Sequence, residues 1–151
     1  MLDESQYEIV LVGLNSSQIS ALPKGIIGIP RIDSVEELVE YYSSADMYLN
    51  LTYSDTFPTT NLEALACGTP VLTYRTGGSV EAVSPDTGWI VEQGDLATVA
   101  EIIKGWSGEI AENPAFEQEK RLKCRKRAEE RFDKNVRFNE YMELYNSLVS
   151  D

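Results

Sequence analysis

Two carboxylates, Asp55 and Glu63, stand at the ends of the stretch Asp-Thr-Phe-Pro-Thr-Thr-Asn-Leu-Glu. Between them, Phe57 and Pro58 lead from a loop into a short helix that opens at Thr59 and is ended by Gly68. A helix beginning presents backbone N–H groups with no intrahelical acceptor and the positive end of the helix dipole, so a phosphate can settle there. On that reading the N–H groups of Thr59, Thr60, Asn61 and Leu62 hold a diphosphate. Glu63, one turn in, then bonds the vicinal hydroxyls of a ribose or sugar. A plainer account uses the same residues: Thr59 or Thr60 caps the helix, and both acids lie on a solvated face where the dipole favours them. Chemistry alone leaves both accounts open.

The elements around this stretch alternate. Residues 7–14 are mostly β-branched and apolar and fit a strand buried on both faces, as in a parallel sheet. Residues 25–30 read as a second strand stopped by Pro30, and Ser34-Val35-Glu36-Glu37 reads as a capping box before a helix whose inner face is Val35, Leu38, Val39 and Tyr42. Strands follow at 47–51, 70–74 and 88–91, with a short helical turn after Gly77-Gly78. Asp95 caps a helix carrying Leu96, Val99, Ala100, Ile103 and Trp106 on one face, and two more helices cover 114–131 and 133–148. This order predicts a Rossmann-like α/β domain over 1–151, a doubly wound parallel sheet with helices on both faces and ligands at the carboxyl ends of its strands.

Composition narrows the chemistry. The chain of 151 residues has a net charge of −12, which opposes binding to bare nucleic acid or anionic lipid. The charge is uneven, with 4 basic and 19 acidic residues in 1–119 against 9 and 6 in 120–151. The basic run at 120–131 reads as a solvated helix face, with Phe116, Leu122, Ala128 and Phe132 pointing inward, or as contact with an acidic partner or membrane surface. Histidine is absent, so Ser-His and Cys-His mechanisms have no base within this chain. Cys67 and Cys124 lie far apart, which disfavours a disulfide framework or zinc site, and Cys67 reads as a small packed side chain. The longest apolar run is too short for a membrane span, so the expected compartment is cytoplasmic, with peripheral attachment to a membrane at most.

From Ser44-Ala45-Asp46 through Glu63-Ala-Leu-Ala-Cys-Gly-Thr-Pro-Val71 to Gly77-Gly78-Ser79-Val80-Glu81, the chain resembles the donor-binding domain of GT-B glycosyltransferases, most closely glycosyltransferase family 4. The family signature is two glutamates separated by seven residues, the second opening a Glu-Ala-x-Ala-Cys-Gly-x-Pro-Val run. The resemblance implies a retaining glycosyltransferase that moves a hexose from a nucleoside diphosphate sugar, a UDP-sugar or GDP-sugar before others, to a hydroxyl acceptor. It implies that Glu63 binds the nucleotide ribose, that Thr59 to Leu62 hold the diphosphate and touch the hexose, and that Asp55 supports the transferring centre. Asp55 is shorter than the usual glutamate. Pro30 and Arg31 match the loop bordering the nucleobase, although an arginine before a helix is commonly a surface residue. Tyr53 and Phe57 could flank the sugar or pack in the core, and Gly77-Gly78 could approach the sugar or form a plain turn.

The resemblance also implies that no metal or other cofactor is needed, because helix dipole and basic side chains replace it. It makes the chain a fragment, inactive alone, that lacks the N-terminal acceptor domain and the donor domain's first strand with its Arg and Lys. Loss of that strand leaves edges unpaired at 7–14 and 47–51, so the expectation is closure of the gap or self-association. Two rival readings are a non-catalytic module that binds nucleotide sugars or protein, and a sugar-nucleotide epimerase of the same architecture.

Overall fold

The computed structural model describes residues 2–149. In chain order the elements are β1 (Ile9–Leu14), α1 (Ser16–Ser20), β2 (Ile26–Pro30), α2 (Val35–Ser44), β3 (Tyr48–Asn50), α3 (Thr59–Ala66), β4 (Val71–Tyr74), α4 (Ser79–Ala82), β5 (Gly88–Val91), α5 (Leu96–Glu112), α6 (Pro114–Phe132) and α7 (Lys134–Val149). The α/β class with parallel strands holds, since β1 pairs with β2, β3 with β4, and β4 with β5, each in parallel. The single sheet does not. The described strands form two sheets, β1-β2 and β3-β4-β5, so β1 and β3 do not close directly on one another.

The core belongs to the three-stranded sheet. Strand residues alternate sides, and β4 therefore puts Val71 against Ala64 and Leu65 of α3, Ala82 of α4, and Cys124 and Ala128 of α6. Leu72 and Tyr74 face the other way, toward Val91 and Val99. All four β4 residues are buried, the pattern of a central strand covered on both faces. The same expectation fails for β1, where Val12 is 40% exposed and Val10 and Leu11 are similar. The reason is local. β1 packs mainly on β2, and α1 packs on β2, where a Cβ on Gly28 would lie 2.6 Å from Leu22 Cδ1. Hydropathy alone reports what a strand wants to bury, not whether a covering layer exists.

Helix starts differ in detail from the sequence reading. The complete capping box is at α1, where Asn15 Oδ1 accepts from Gln18 N and Gln18 Oε1 accepts from Asn15 N, each at 2.9 Å. Ser34 makes half a box: its Oγ accepts from Glu37 N at 3.2 Å and donates to Glu36 Oε2 at 2.9 Å. Asp95 caps α5 as expected, accepting from Thr98 N at 3.0 Å and Thr98 Oγ1 at 2.6 Å. Val35 and Leu96, assigned to inner faces, are exposed first-turn residues. No helix among the described residues is long and apolar enough to cross a membrane.

The basic run on α6 keeps Lys123 and Lys126 on the expected solvated face, but several of its other members reach backbone carbonyls of neighbouring helices. Arg121 donates to the carbonyls of Ser43 at 3.3 Å and Ala45 at 2.9 Å, at the end of α2. Arg125 donates to Ala66 at 2.7 Å, at the end of α3. Arg127 donates to Ala82 at 2.6 Å and Glu81 at 2.8 Å, at the end of α4. Helix ends leave carbonyls without partners and carry negative dipole charge, so arginine satisfies both needs at once. Lys120 is buried, donates to Pro85 O at 3.3 Å and lies 4.3 Å over the Trp89 ring. Burial pulls its pKa below the ordinary lysine value and pushes the Cys124 thiol up to about 12. Leu122, expected inside, is 71% exposed because the inner face is occupied by Lys120, Cys124, Arg127 and Ala128.

Replacing Arg127 by Met keeps the stem and removes two bonds, which is expected to lower stability by about 1–3 kcal/mol in urea denaturation. Lys126→Ala, which removes only a 3.7 Å pair with Glu130, is expected to change it by less than about 0.5 kcal/mol. Equal effects of the two would overturn the capping role.

Candidate functional site

The site lies at the carboxyl ends of β3 and β4, where the loop after β3 runs into α3. Its floor is polar and buried. Asn50, the last residue of β3, donates through Nδ2 to Asn61 Oδ1 at 2.8 Å, and Asn61 Nδ2 donates to Ser79 O at 3.3 Å. Thr73 Oγ1 donates to Asn50 O at 3.0 Å. Asn61 is fully buried, so it ties β3, α3 and α4 together beneath the loop. Ser79 Oγ, also buried, has no hydrogen-bond partner among the described residues.

The N-terminus of α3 is open. Pro58 occupies the cap position and no side chain caps the helix, which removes the account in which Thr59 or Thr60 caps it. Helix geometry leaves the N–H groups of Thr59 and Thr60 without an acceptor inside the helix. The Asn61 N–H differs from expectation, because it already donates to Pro58 O at 3.2 Å. Leu62 is partly buried against the core, with its neighbours Ala64 and Leu65.

Glu63 is partly buried and held. Tyr42, from α2, donates its hydroxyl to Glu63 Oε2 at 3.1 Å. Burial, then the neighbouring Tyr48 and Glu63, raises the Tyr42 pKa far above the ordinary phenol, so this hydroxyl keeps its proton and donates. Tyr42 packs edge-on against Tyr48, with ring centroids 5.4 Å apart. The Tyr48 hydroxyl in turn interacts with Thr60 and Tyr42. Neither tyrosine was picked out with the acids, because nothing local marks them. Tyr42 lies 21 positions before Glu63, and only packing brings them together.

Asp55 shapes its own loop. Its Oδ1 accepts from Phe57 N at 3.0 Å, an Asx turn that leaves Oδ2 without a hydrogen bond among the described residues. Gly77 and Gly78 pack against the same loop. A Cβ on Gly77 would lie 1.9 Å from Asp55 O, and one on Gly78 would lie 2.2 Å from Thr56 O. Gly78 N also donates to Thr56 O at 2.9 Å. The glycines therefore let the acid-bearing loop dock on the turn before α4. Phe57 packs against Phe132 at the end of α6, with centroids 6.1 Å apart, and Tyr53 packs edge-on against Tyr74.

Pro30 ends β2, and Arg31 is an exposed residue paired with Asp33 at 3.1 Å. β2 packs mainly on β1 and α1. Cys67 is half-buried, and burial raises its pKa, as suits a packed rather than a reactive thiol.

Gly78→Ala is expected to cost about 1–3 kcal/mol in urea denaturation, since backbone must move to admit the methyl. Gly105→Ala, within α5 where an added Cβ meets nothing within 4 Å, is expected to stabilise by about 0.5–1 kcal/mol. Asn61→Ala strands the buried Asn50 amide and is expected to cost about 1–3 kcal/mol. A Gly78→Ala protein as stable as the parent would overturn the docking role of that glycine.

Comparison with known proteins bears on the family and the fold. Over 121 residues, 80% of the chain, it is 26% identical to the capsular polysaccharide biosynthesis glycosyltransferase CapM of Staphylococcus aureus. It superposes on the sucrose-phosphate synthase of Thermosynechococcus elongatus with a TM-score of 0.78 and 26% identity over 95% of the chain. Anabaena HepE, solved with UDP, shares the fold at a TM-score of 0.74 and 21% identity over 93% of the chain. The chain spans 31% of CapM and 39% and 41% of the two structures. The family model for glycosyl transferases group 1 matches residues 5–131, and the chain belongs to that family.

Proposed function

We propose that this chain is the nucleotide-sugar-binding part of a retaining glycosyltransferase that moves a hexose from a nucleoside diphosphate donor to a hydroxyl acceptor. The observation that carries the reading is an uncapped helix N-terminus one turn ahead of a tethered carboxylate, Glu63. The N–H groups of Thr59 and Thr60 receive the diphosphate, where the dipole of α3 stabilises the negative charge that grows as the glycosidic C–O bond breaks. The acceptor oxygen forms the new bond to the same carbon and its proton passes to the departing diphosphate. Glu63 accepts from the ribose hydroxyls. Asp55, through the oxygen not used by Phe57 N, supports the donor sugar.

Donor binding on this account relies on backbone dipoles and needs no metal, with the acceptor held by a second domain of the parent enzyme. The free edges of β1 and β3 offer a route to self-association, and light scattering that finds a strict monomer would count against it.

Calorimetric titration of UDP, GDP and ADP into the wild-type chain and Glu63→Ala tests the reading. The expected result is binding that survives EDTA and weakens roughly tenfold or more in Glu63→Ala, about 1.4 kcal/mol. Absence of binding by the wild type overturns the donor site, equal affinity of the two proteins overturns the role of Glu63, and loss on chelation overturns the metal-free account.

A further inference from the structure

We infer that Tyr42 is a positioning residue for Glu63, its hydroxyl holding carboxylate Oε2 so that Oε1 is left to accept from the donor's sugar hydroxyls. The inference rests on the donor site proposed above. It starts from a geometric requirement. A glutamate side chain has three rotatable bonds, and a carboxylate that reads a pair of vicinal hydroxyls must be kept in one rotamer to be worth its full bond energy. In this site the tether comes from outside α3, from the last turns of α2.

Tyr42 is itself held on three sides. Its ring packs edge-on against Tyr48 at 5.4 Å and an interplanar angle of 75°. Its carbonyl accepts a short hydrogen bond from Thr69 Oγ1, in the turn between α3 and β4, and a second bond from Ala45 N at 3.3 Å. Thr69 is fully buried, so the backbone of Tyr42 is pinned to the far end of the helix that carries Glu63. The phenol therefore meets the carboxylate from a fixed direction. A tyrosine also donates without adding a positive charge, so Glu63 stays a full acceptor. An arginine or lysine in its place would compete with the ligand for both oxygens.

A residue that only supported the fold would lower affinity for every ligand alike, whereas a positioning residue alters selectivity for the hydroxyls that Glu63 reads. The test is calorimetry with UDP and 2′,3′-dideoxy-UDP on wild type, Tyr42→Phe, Glu63→Ala and the double variant. Tyr42→Phe keeps the ring and removes only the donor. Wild type is expected to prefer UDP by roughly tenfold or more. Tyr42→Phe is expected to lose several-fold of that preference, and to change nothing further in the Glu63→Ala background, because coupled residues are not additive.

A Tyr42→Phe protein that keeps the full preference overturns the proposal, as does an equal loss with and without Glu63. The parent reading fails differently: wild type then shows no preference at all, and Glu63→Ala binds UDP as tightly as wild type. Should Tyr42→Phe prove too unstable to titrate, the 13Cζ shift of Tyr42 in wild type and in Glu63→Ala reads the same bond. A shift that moves on loss of the carboxylate supports the proposal, and identical shifts overturn it.

Discussion

The structure depends on how α6 disposes of the carbonyls that three other helices leave unsatisfied. Arg121, Arg125 and Arg127 reach the ends of α2, α3 and α4 in turn, and Lys120 reaches the loop that follows α4. These groups would otherwise meet the core or compete for water. The arrangement also fixes direction. With its C-terminus tied to α6 and no side chain on its N-terminus, α3 points an uncompensated positive dipole end at the loop after β3. Gly68 closes the same contact, since an added Cβ would lie 3.3 Å from Arg121 O.

The site is built on this frame from two kinds of polar contact. Beneath the loop, the Asn50–Asn61–Ser79 chain is fully enclosed, and in a low-dielectric interior such a chain specifies one arrangement because any slip leaves an amide unpaired. Above it, the Tyr42–Glu63 bond is only partly buried. Asp55 belongs to neither layer. Its carboxylate organises the loop that Gly77 and Gly78 receive, so the acid is placed by backbone contact and not by a side-chain network.

The charge distribution has a corresponding logic. The acidic surplus of the first 119 residues repels free anions in general, so a phosphate has to be captured by local geometry. Open N–H groups at a helix start, with the helix dipole behind them, are a local feature of the kind that can do so. Part of the basic charge of the C-terminal helices is taken up by internal carbonyls and by pairs such as Arg121–Glu117 at 2.7 Å.

Much of the fold was legible because period and punctuation are local properties. The strand at β4, the stop at Gly68 and the cap at Asp95 are set by residues within a turn of where they act, and the Asp55–Glu63 spacing with its Glu-Ala-Leu-Ala-Cys-Gly-Thr-Pro-Val sequel identified the family and the helix N-terminus. What the sequence could not disclose depends on residues far apart in the chain. The exposure of β1 follows from how little packs on it beyond β2 among the described residues. The inward turn of Arg127 follows from where α4 ends, and the use of the two glycines follows from where the Asp55 loop lands. The partnership of Tyr42 with Glu63 exists only because α2 and α3 pack side by side. By itself the sequence determined which groups could bind an anion and a sugar; tertiary structure decided which of them are free to do so, because a hydrogen-bonding group already satisfied inside the fold is no longer available to a ligand.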